Sequence, residues 1–245
     1  MSVPTSGSGP GENRHGTRTV AMRYFPINLE VSGKPAIIVG GGAVAARKCS
    51  ALLDAGAHVT VIAPRLDRTL AQMSEKGEMI RHVAREFTPG DLAGAFLVFA
   101  ATDSPLVNRV VAEEAKARNI LADIADAPGL GSFTLPAVMR RGDLQIAVAT
   151  GGKSPAMARH IREQLEVLYG PEYGTALELL GNLREKLLTE QGNNAYNKQI
   201  FNDLAERLPA LIRNASTAEI DNLLKTLLGP EVTLDGLGLR GKDPE

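Results

Sequence analysis

The feature that most constrains this chain is a short apolar run, Ala36–Val39, that ends on three consecutive glycines, Gly40–Gly42. The run predicts a strand buried on both faces, and the helix formers of Ala43–Ala55 predict a helix directly after it. Gly40 permits a tight turn, Gly42 lets a diphosphate approach the backbone, and the small Ala45 lets helix and strand pack closely. The alternative is a glycine turn without a ligand, but the strand–loop–helix context of this G-x-G-x-x-A pattern favours a dinucleotide at the helix N-terminus.

Strands and helices alternate through the rest of the N-terminal half. Further strands are predicted at His58–Ile62, Met79–Val83, Ala95–Ala100 and Ile120–Ala125. Helices are predicted between them at Leu66–Lys76 and Ser104–Ala117, the latter with a serine cap and a proline in its first turn. This alternation predicts an α/β fold of the Rossmann type, with a parallel sheet and right-handed crossovers.

Polar residues follow the two strongest later strands. Thr102 and Asp103 come after one strand, and Asp126 comes after the next. Because ligands of open parallel sheets bind beyond the carboxyl ends of the strands, these residues are candidates for the nicotinamide side of the site. Asp126 could accept a proton while a hydride leaves a substrate. The alternatives are that Thr102 and Asp103 begin a turn, and that Asp126 caps a loop before Pro128.

The acidic residue that often binds the cofactor ribose is absent from its expected place. It would fall near residues 62–65, where no carboxylate stands, and Asp67 comes slightly late. Arg65 could even favour a 2′-phosphate. The residues by themselves therefore leave NAD and NADP open.

The pattern of predicted strands and helices changes after Asp126. Two strands, 129–137 and 144–149, are predicted around a turn at 140–143, followed by a helix that Ser154 caps and Gly170 ends. Further helices with apolar stripes follow, the last opened by a capping box of Ser216 and Glu219. The stripes are interpreted as core packing.

The predicted segments are a disordered tail at 1–21, a dinucleotide-binding domain at 22–132, an α+β segment at 133–169, a helical domain at 170–230 and a frayed tail at 231–245.

Composition and charge narrow the class of protein. A net charge of -1 argues against a nucleic-acid binder, and no apolar run has the roughly 18 residues of a membrane span. The single cysteine excludes an internal disulfide and fits a reducing cytoplasm, and the four histidines show no metal-ligand spacing. Basic residues gather after the sheet and suit a carboxylate-rich substrate or, alternatively, a solvated surface: Arg140, Arg141, Lys153, Arg159.

A set of ordered motifs resembles the precorrin-2 dehydrogenase family, which includes the N-terminal module of siroheme synthase. The resemblance runs from about residue 22 to 168. The motifs that carry it are Tyr24-Phe25-Pro26-Ile27, Ile38-Val39-Gly40-Gly41-Gly42-Ala43-Val44-Ala45-Ala46-Arg47-Lys48, Leu52-Leu53-Asp54-Ala55-Gly56-Ala57, Ala100-Ala101-Thr102-Asp103, Asp126-Ala127-Pro128, Ser132-Phe133-Thr134-Leu135-Pro136-Ala137 and Thr150-Gly151-Gly152-Lys153-Ser154-Pro155.

The resemblance implies NAD-dependent oxidation of precorrin-2 to sirohydrochlorin, with Asp126 as the acid/base group and a homodimer built by residues from about 133 to 168. Some members also insert Fe²⁺ into sirohydrochlorin, so the resemblance leaves open a bifunctional enzyme that is also a ferrochelatase. The residues themselves show no metal-ligand cluster. The alternative from another class is a dinucleotide-sensing regulatory module without catalysis. The implied cofactor contacts are Gly40, Gly41, Gly42, Ala43, Val44, Ala45, Pro64, Arg65, Thr102 and Asp103.

The chain departs from the family pattern at three positions. Asp123 stands where many relatives have Asn, and Gly131 stands where many have Cys or Ser. Thr150 takes a position that is a phosphorylated Ser in some relatives. The four basic residues named above would meet the carboxylates of the tetrapyrrole.

Overall fold

The computed structural model describes residues 23–77, 79–191 and 198–237. Its centre is a five-stranded parallel sheet in the order β3-β2-β1-β4-β5. The strands are β1 Pro35–Val39, β2 His58–Ile62, β3 Ile80–Val83, β4 Leu97–Ala100 and β5 Leu121–Ile124. This sheet confirms the predicted Rossmann-type fold.

The register of the sheet aligns the carboxyl ends of its central strands. Val39 of β1 lies opposite Ile62 of β2 on one side and Ala100 of β4 on the other. Ala100 in turn lies opposite Ile124 of β5. The chain runs outward in one direction from β1 to β3 and then returns to the other side of β1, so the crevice of this sheet lies between β1 and β4.

Helices cover both faces of the sheet. Helices α1 Ala43–Asp54 and α2 Arg68–Lys76 pack on the face that carries Ile38 and Phe99, whereas α3 Pro105–Ala117 packs on the face that carries Val98. Each buried strand residue of this kind contributes about 2 kcal/mol of transfer free energy, which explains why the strands are apolar on both faces. The predicted cap of α3 is present, since the Ser104 side chain accepts a hydrogen bond from Val107 N.

A two-stranded antiparallel ribbon follows the sheet. It consists of β6 Ala137–Arg141 and β7 Leu144–Val148, and α4 Pro155–Leu168 packs on it. The first strand was expected at 129–137, but residues 129–136 form no strand. Gly131 lies against the Ala122 carbonyl, and Ser132 N donates to the same oxygen at 2.8 Å, so this stretch pairs loosely with β5 instead.

Three helices form a second core in the C-terminal region. They are α5 Glu172–Gln191, α6 Lys198–Arg213 and α7 Thr217–Leu228. The expected capping box is wrong, because the Ser216 side chain accepts no capping hydrogen bond. The expectation of a frayed tail from 231 is also wrong over 231–237, because Val232, Leu234 and Leu237 are buried in the helical core. The remainder of that tail, 238–245, lies outside the described residues.

The chain divides into two units, 1–30 and 31–245. In the first unit the described residues, 23–30, form neither helix nor strand, and the predicted disordered tail at 1–21 lies outside the described residues. No helix in the described ranges is long and apolar enough to cross a membrane.

Candidate functional site

The glycine loop after β1 is held between two other loops of the same sheet edge. Gly40 has a φ of +122°, and a Cβ there would overlap the Ala101 carbonyl after β4. A Cβ on Gly41 would overlap the Arg65 carbonyl after β2 and lie 3.0 Å from the Ala63 Cβ. Both glycines are therefore required by the close approach of neighbouring backbone, and this approach sets the path of the loop.

Gly42 differs from the two glycines before it. Its φ of -90° is open to any residue, and a Cβ there would meet no protein atom within 4 Å. It is the N-cap of α1, whose first turn carries no acidic residue and whose first amide groups have no intrahelical partner. Ala45 is fully buried, whereas Ala43 and Val44 are exposed. This arrangement fits a diphosphate lying against the Gly42 backbone at the positive end of the helix.

The loop after β2 borders the glycine loop. Pro64 and Arg65 are exposed there, and the Asp67 backbone amide donates to the Gly41 carbonyl at 2.7 Å. The Asp67 carboxylate caps α2 by accepting from Leu70 N at 2.8 Å. Asp67 thus holds the start of a helix, and no other carboxylate stands in this loop at residues 63–66.

A hydrogen-bonded network joins the ends of β4 and β5. The Asp126 Oδ1 accepts a hydrogen bond from Asn108 Nδ2 at 2.9 Å. The Asn108 Oδ1 accepts from the Thr102 hydroxyl at 2.8 Å and from the Thr102 amide at 3.3 Å, while its Nδ2 also donates to the Thr102 carbonyl at 3.1 Å. Asp126 and the nearby Asp103 are exposed. The structure therefore brings Thr102 and Asp126 together at the strand edge that also holds the glycine loop.

Sequence reasoning missed Asn108, although a signal was present. On α3 the buried residues are Asn108, Val111, Ala112 and Ala115, which is the spacing of an apolar helix stripe. A lone amide in such a stripe must find buried hydrogen-bond partners. Asn108 is only 1% exposed, and both ends of its amide are satisfied within this network.

A part-buried ion pair joins α1 to β5. The Lys48 ammonium of α1 pairs with the Asp123 carboxylate of β5 and lies 4.8 Å from the centre of the Phe99 ring. Phe99 also meets the Phe133 ring edge-on at 5.6 Å. Asp123 thus has a specific partner that links the glycine-loop helix to the strand before Asp126.

The four basic residues named from the sequence divide into two kinds. The Arg141 guanidinium donates to the backbone carbonyls of Tyr169 at 3.0 Å, Glu166 at 3.0 Å and Arg140 at 2.9 Å. Arg141 thus provides hydrogen-bond donors to backbone carbonyls at the end of α4. Its guanidinium is used inside the fold, which argues against the predicted role of Arg141 in substrate binding. The side chains of the other three are exposed: Arg140, Lys153, Arg159.

The loop before α4 is shaped by glycines and by Thr150. Gly151 and Gly152 have φ of +62° and +79°, and the Thr150 hydroxyl accepts from Ser154 N at 3.3 Å. Within residues 23–77, 79–191 and 198–237, no three His, Cys, Asp or Glu side chains are grouped as a metal site.

Comparison with known families agrees with this geometry. A family model described as NAD(P)-binding matches residues 27–137, and one described as the sirohaem biosynthesis protein central segment matches residues 141–168. The first covers the sheet and its glycine loop, and the second covers most of the ribbon and α4. The chain is thus a Rossmann-type NAD(P)-binding protein, and the expected nicotinamide-dinucleotide cofactor is confirmed.

Individual relatives define the family more narrowly. The chain is 38% identical over 225 residues to siroheme synthase 3 of Aeromonas hydrophila, which covers 89% of this chain and 48% of that protein. It is 44% identical over 164 residues to siroheme synthase of Methylobacillus flagellatus, covering 67% of this chain and 35% of the relative. The chain therefore spans about half or less of the length of these curated relatives.

A solved structure matches nearly whole. SirC, a precorrin-2 dehydrogenase, superposes with a TM-score of 0.66 at 26% identity, covering 83% of this chain and 98% of SirC. The chain belongs to the family that unites precorrin-2 dehydrogenases with siroheme synthases. The family predicted from the motifs is confirmed.

Proposed function

We propose that this chain oxidises precorrin-2 to sirohydrochlorin with NAD, in siroheme synthesis in the cytoplasm. The observation that carries the proposal is the placement of Asp126 at the end of β5, hydrogen-bonded through Asn108 to Thr102 beside the glycine-loop crevice. The alternative of a regulatory module gains no support, since the relatives above are named as a dehydrogenase and as siroheme synthases.

The residues divide the work of the reaction. Backbone groups from Gly40 to Ala45 hold the diphosphate, Pro64 and Arg65 border the adenosine half, and Thr102 and Asp103 border the nicotinamide. The bound cofactor supplies a hydride acceptor. Oxidation also releases a proton, and the exposed Asp126 carboxylate accepts it.

The substrate is a macrocycle with many carboxylates. Arg140, Lys153 and Arg159 have exposed side chains on the ribbon, the loop before α4 and α4 itself. A guanidinium or ammonium group matches a carboxylate in charge and hydrogen bonding. These three side chains bind the tetrapyrrole carboxylates, and Arg141 supports them by holding the end of α4.

The chain functions as a homodimer through residues from about 133 to 168. Within 137–168 only Met139 and Ala158 are buried, so this segment has almost no core of its own. Its helix exposes Met157, Val167 and Leu168, the last two at 85% and 63%. These three apolar side chains are thus uncovered in the single chain. Light scattering should give about twice the 26.0 kDa of one chain, and a monomer at micromolar concentration would contradict this.

The domain limits correspond to these separate roles of cofactor binding and dimer formation. Residues 22–132 bind the cofactor, 133–169 build the dimer and 170–230 form the helical domain, to which 231–237 also belong. Limited proteolysis tests these limits, since cuts are expected near 132–136 and 170 before any within the sheet.

The decisive test is Asp126→Asn, measured with precorrin-2 and NAD under anaerobic conditions. It keeps the shape of the side chain but removes the proton acceptor, so turnover should fall roughly 10²–10⁴-fold. The dissociation constant for NAD should stay within about twofold of the wild type.

The matched control is Asp103→Asn, which removes a carboxylate from the neighbouring strand end. It should act mainly on NAD affinity rather than on turnover at saturating cofactor. Wild-type turnover in Asp126→Asn would show that Asp126 only caps its loop.

A further inference from the structure

We infer that Asn108 is a positioning residue that holds the Asp126 carboxylate and the Thr102 backbone in one fixed arrangement. The inference rests on the proposed function, in which Asp126 takes the proton. Asn108 itself lies in the buried face of α3, 1% exposed, so it acts through its two neighbours rather than on the substrate.

The partners of Asn108 permit only one orientation of its amide. The Thr102 N–H can only donate, so the group that it meets must be the Asn108 carbonyl oxygen. The Thr102 carbonyl and the Asp126 carboxylate can only accept, so both must meet the amide nitrogen. Three contacts thus agree on one orientation, and every donor and acceptor of the amide is used.

This arrangement anchors an exposed side chain to a buried one. Asp126 lies in a turn that is closed by a hydrogen bond from Ala127 N to the Ile124 carbonyl at 3.2 Å. Without a further contact, an exposed aspartate side chain in such a turn is free to change rotamer. The bond from Asn108 removes that freedom by fixing Oδ1. Among the described residues no hydrogen bond reaches Oδ2 of Asp126, so Oδ2 is the oxygen left to receive the proton.

The same amide joins two strand ends. Thr102 follows β4 and Asp126 follows β5, and only the Asn108 side chain bonds to both among the contacts of the described chain. A shift of either strand end would break at least one of its four hydrogen bonds. Asn108 therefore keeps the base in register with the edge of the cofactor crevice.

The test uses two substitutions and a matched control on α3. Asn108→Ala removes the amide, and Asn108→Asp keeps its shape and its acceptor but replaces the donor to Asp126 by a carboxylate. Each should lower kcat about 10²-fold, the usual effect of misplacing a catalytic group by about 1 Å. The KM for precorrin-2 and the dissociation constant for NAD should stay within about threefold. Val111→Ala, on the same buried face, should lower thermal stability but leave kcat unchanged.

A double-variant comparison separates positioning from a general loss of structure. If Asn108 acts through Asp126, adding Asn108→Ala to Asp126→Asn should reduce kcat by less than about threefold further, because the base is already gone. An equal loss in both backgrounds would overturn the inference. Wild-type kcat in both Asn108 variants would also overturn it, and so would unfolding of both variants.

These results are distinguishable from failure of the proposed function. Absence of precorrin-2 oxidation by the wild type, or full activity of Asp126→Asn, would refute the function itself. An active wild type with a slow Asp126→Asn and a fast Asn108→Ala would refute only the role of Asn108.

Discussion

Substitution by alanine should have different effects at Gly41 and at Gly42 of the cofactor loop. Gly41→Ala places a methyl group into the Arg65 carbonyl and within 3.0 Å of the Ala63 Cβ. Backbone atoms cannot move aside as a flexible side chain can. Gly42→Ala places the same methyl group where no protein atom lies within 4 Å and where φ is -90°. The first change therefore acts on the fold, and the second acts on the space left for the cofactor.

The expected magnitudes differ accordingly. Overpacking of this kind costs about 3 kcal/mol, which at this chain length lowers Tm by about 6–12 °C. For Gly42→Ala, the weaker N-cap costs a few tenths to about 1 kcal/mol, and the smaller entropy of the unfolded chain returns a similar amount. The free energy of unfolding without cofactor should thus stay within about 0.5 kcal/mol. The affinity for NAD should fall at least about tenfold, which is about 1.4 kcal/mol.

Two measurements decide between these effects. Thermal unfolding followed by circular dichroism without cofactor gives the stability of each variant. Binding of NADH by its own fluorescence gives the affinity, and the absence of tryptophan from the chain removes the usual interfering signal. Normal NADH binding by Gly42→Ala would refute a diphosphate lying against this backbone. Equal Tm values for the two variants would refute the argument from backbone contact at Gly41.

Three further predictions concern groups outside the cofactor loop. Lys48→Met leaves the Asp123 carboxylate buried without a cation and should lower the free energy of unfolding by about 3 kcal/mol, and adding Asp123→Asn should recover at least half of this loss in a denaturant titration. Burial raises the pKa of the Cys49 thiol to about 11, so its reaction with a thiol reagent near about pH 8 should be slow until the protein unfolds. The hydrogen bond from Arg85 lowers the pKa of Asp91 to about 2. Because the folded pKa is lower than the unfolded one, this group contributes stability above about pH 4 and loses it as the pH falls towards about 2. Asp91→Asn should flatten the Tm profile over that range, and an unchanged profile would contradict the assignment.

Much of the fold could be predicted because its signals are local. The strand–glycine–helix turn at residues 36–45, the caps at Ser104 and Ser154 and the apolar strands all depend on residues within a few positions of each other. The first strand of the ribbon was predicted too early in the chain. Residues 129–136 are apolar enough for a strand, but in the structure they pair loosely with β5. The last buried residues near 237 were missed because only three helices packed together supply a surface for them.

The sequence by itself determined the class of fold, the kind of cofactor and the two strand ends that hold Thr102 and Asp126. Only the tertiary structure decided how those residues are held. Asn108 meets Asp126 across 18 residues, and Lys48 meets Asp123 across 75. Local propensity carries no information about such pairs, because their distance depends on how α1 and α3 pack on opposite faces of the sheet. The side chains that position the reacting groups can therefore be identified only once the packing of those helices is known.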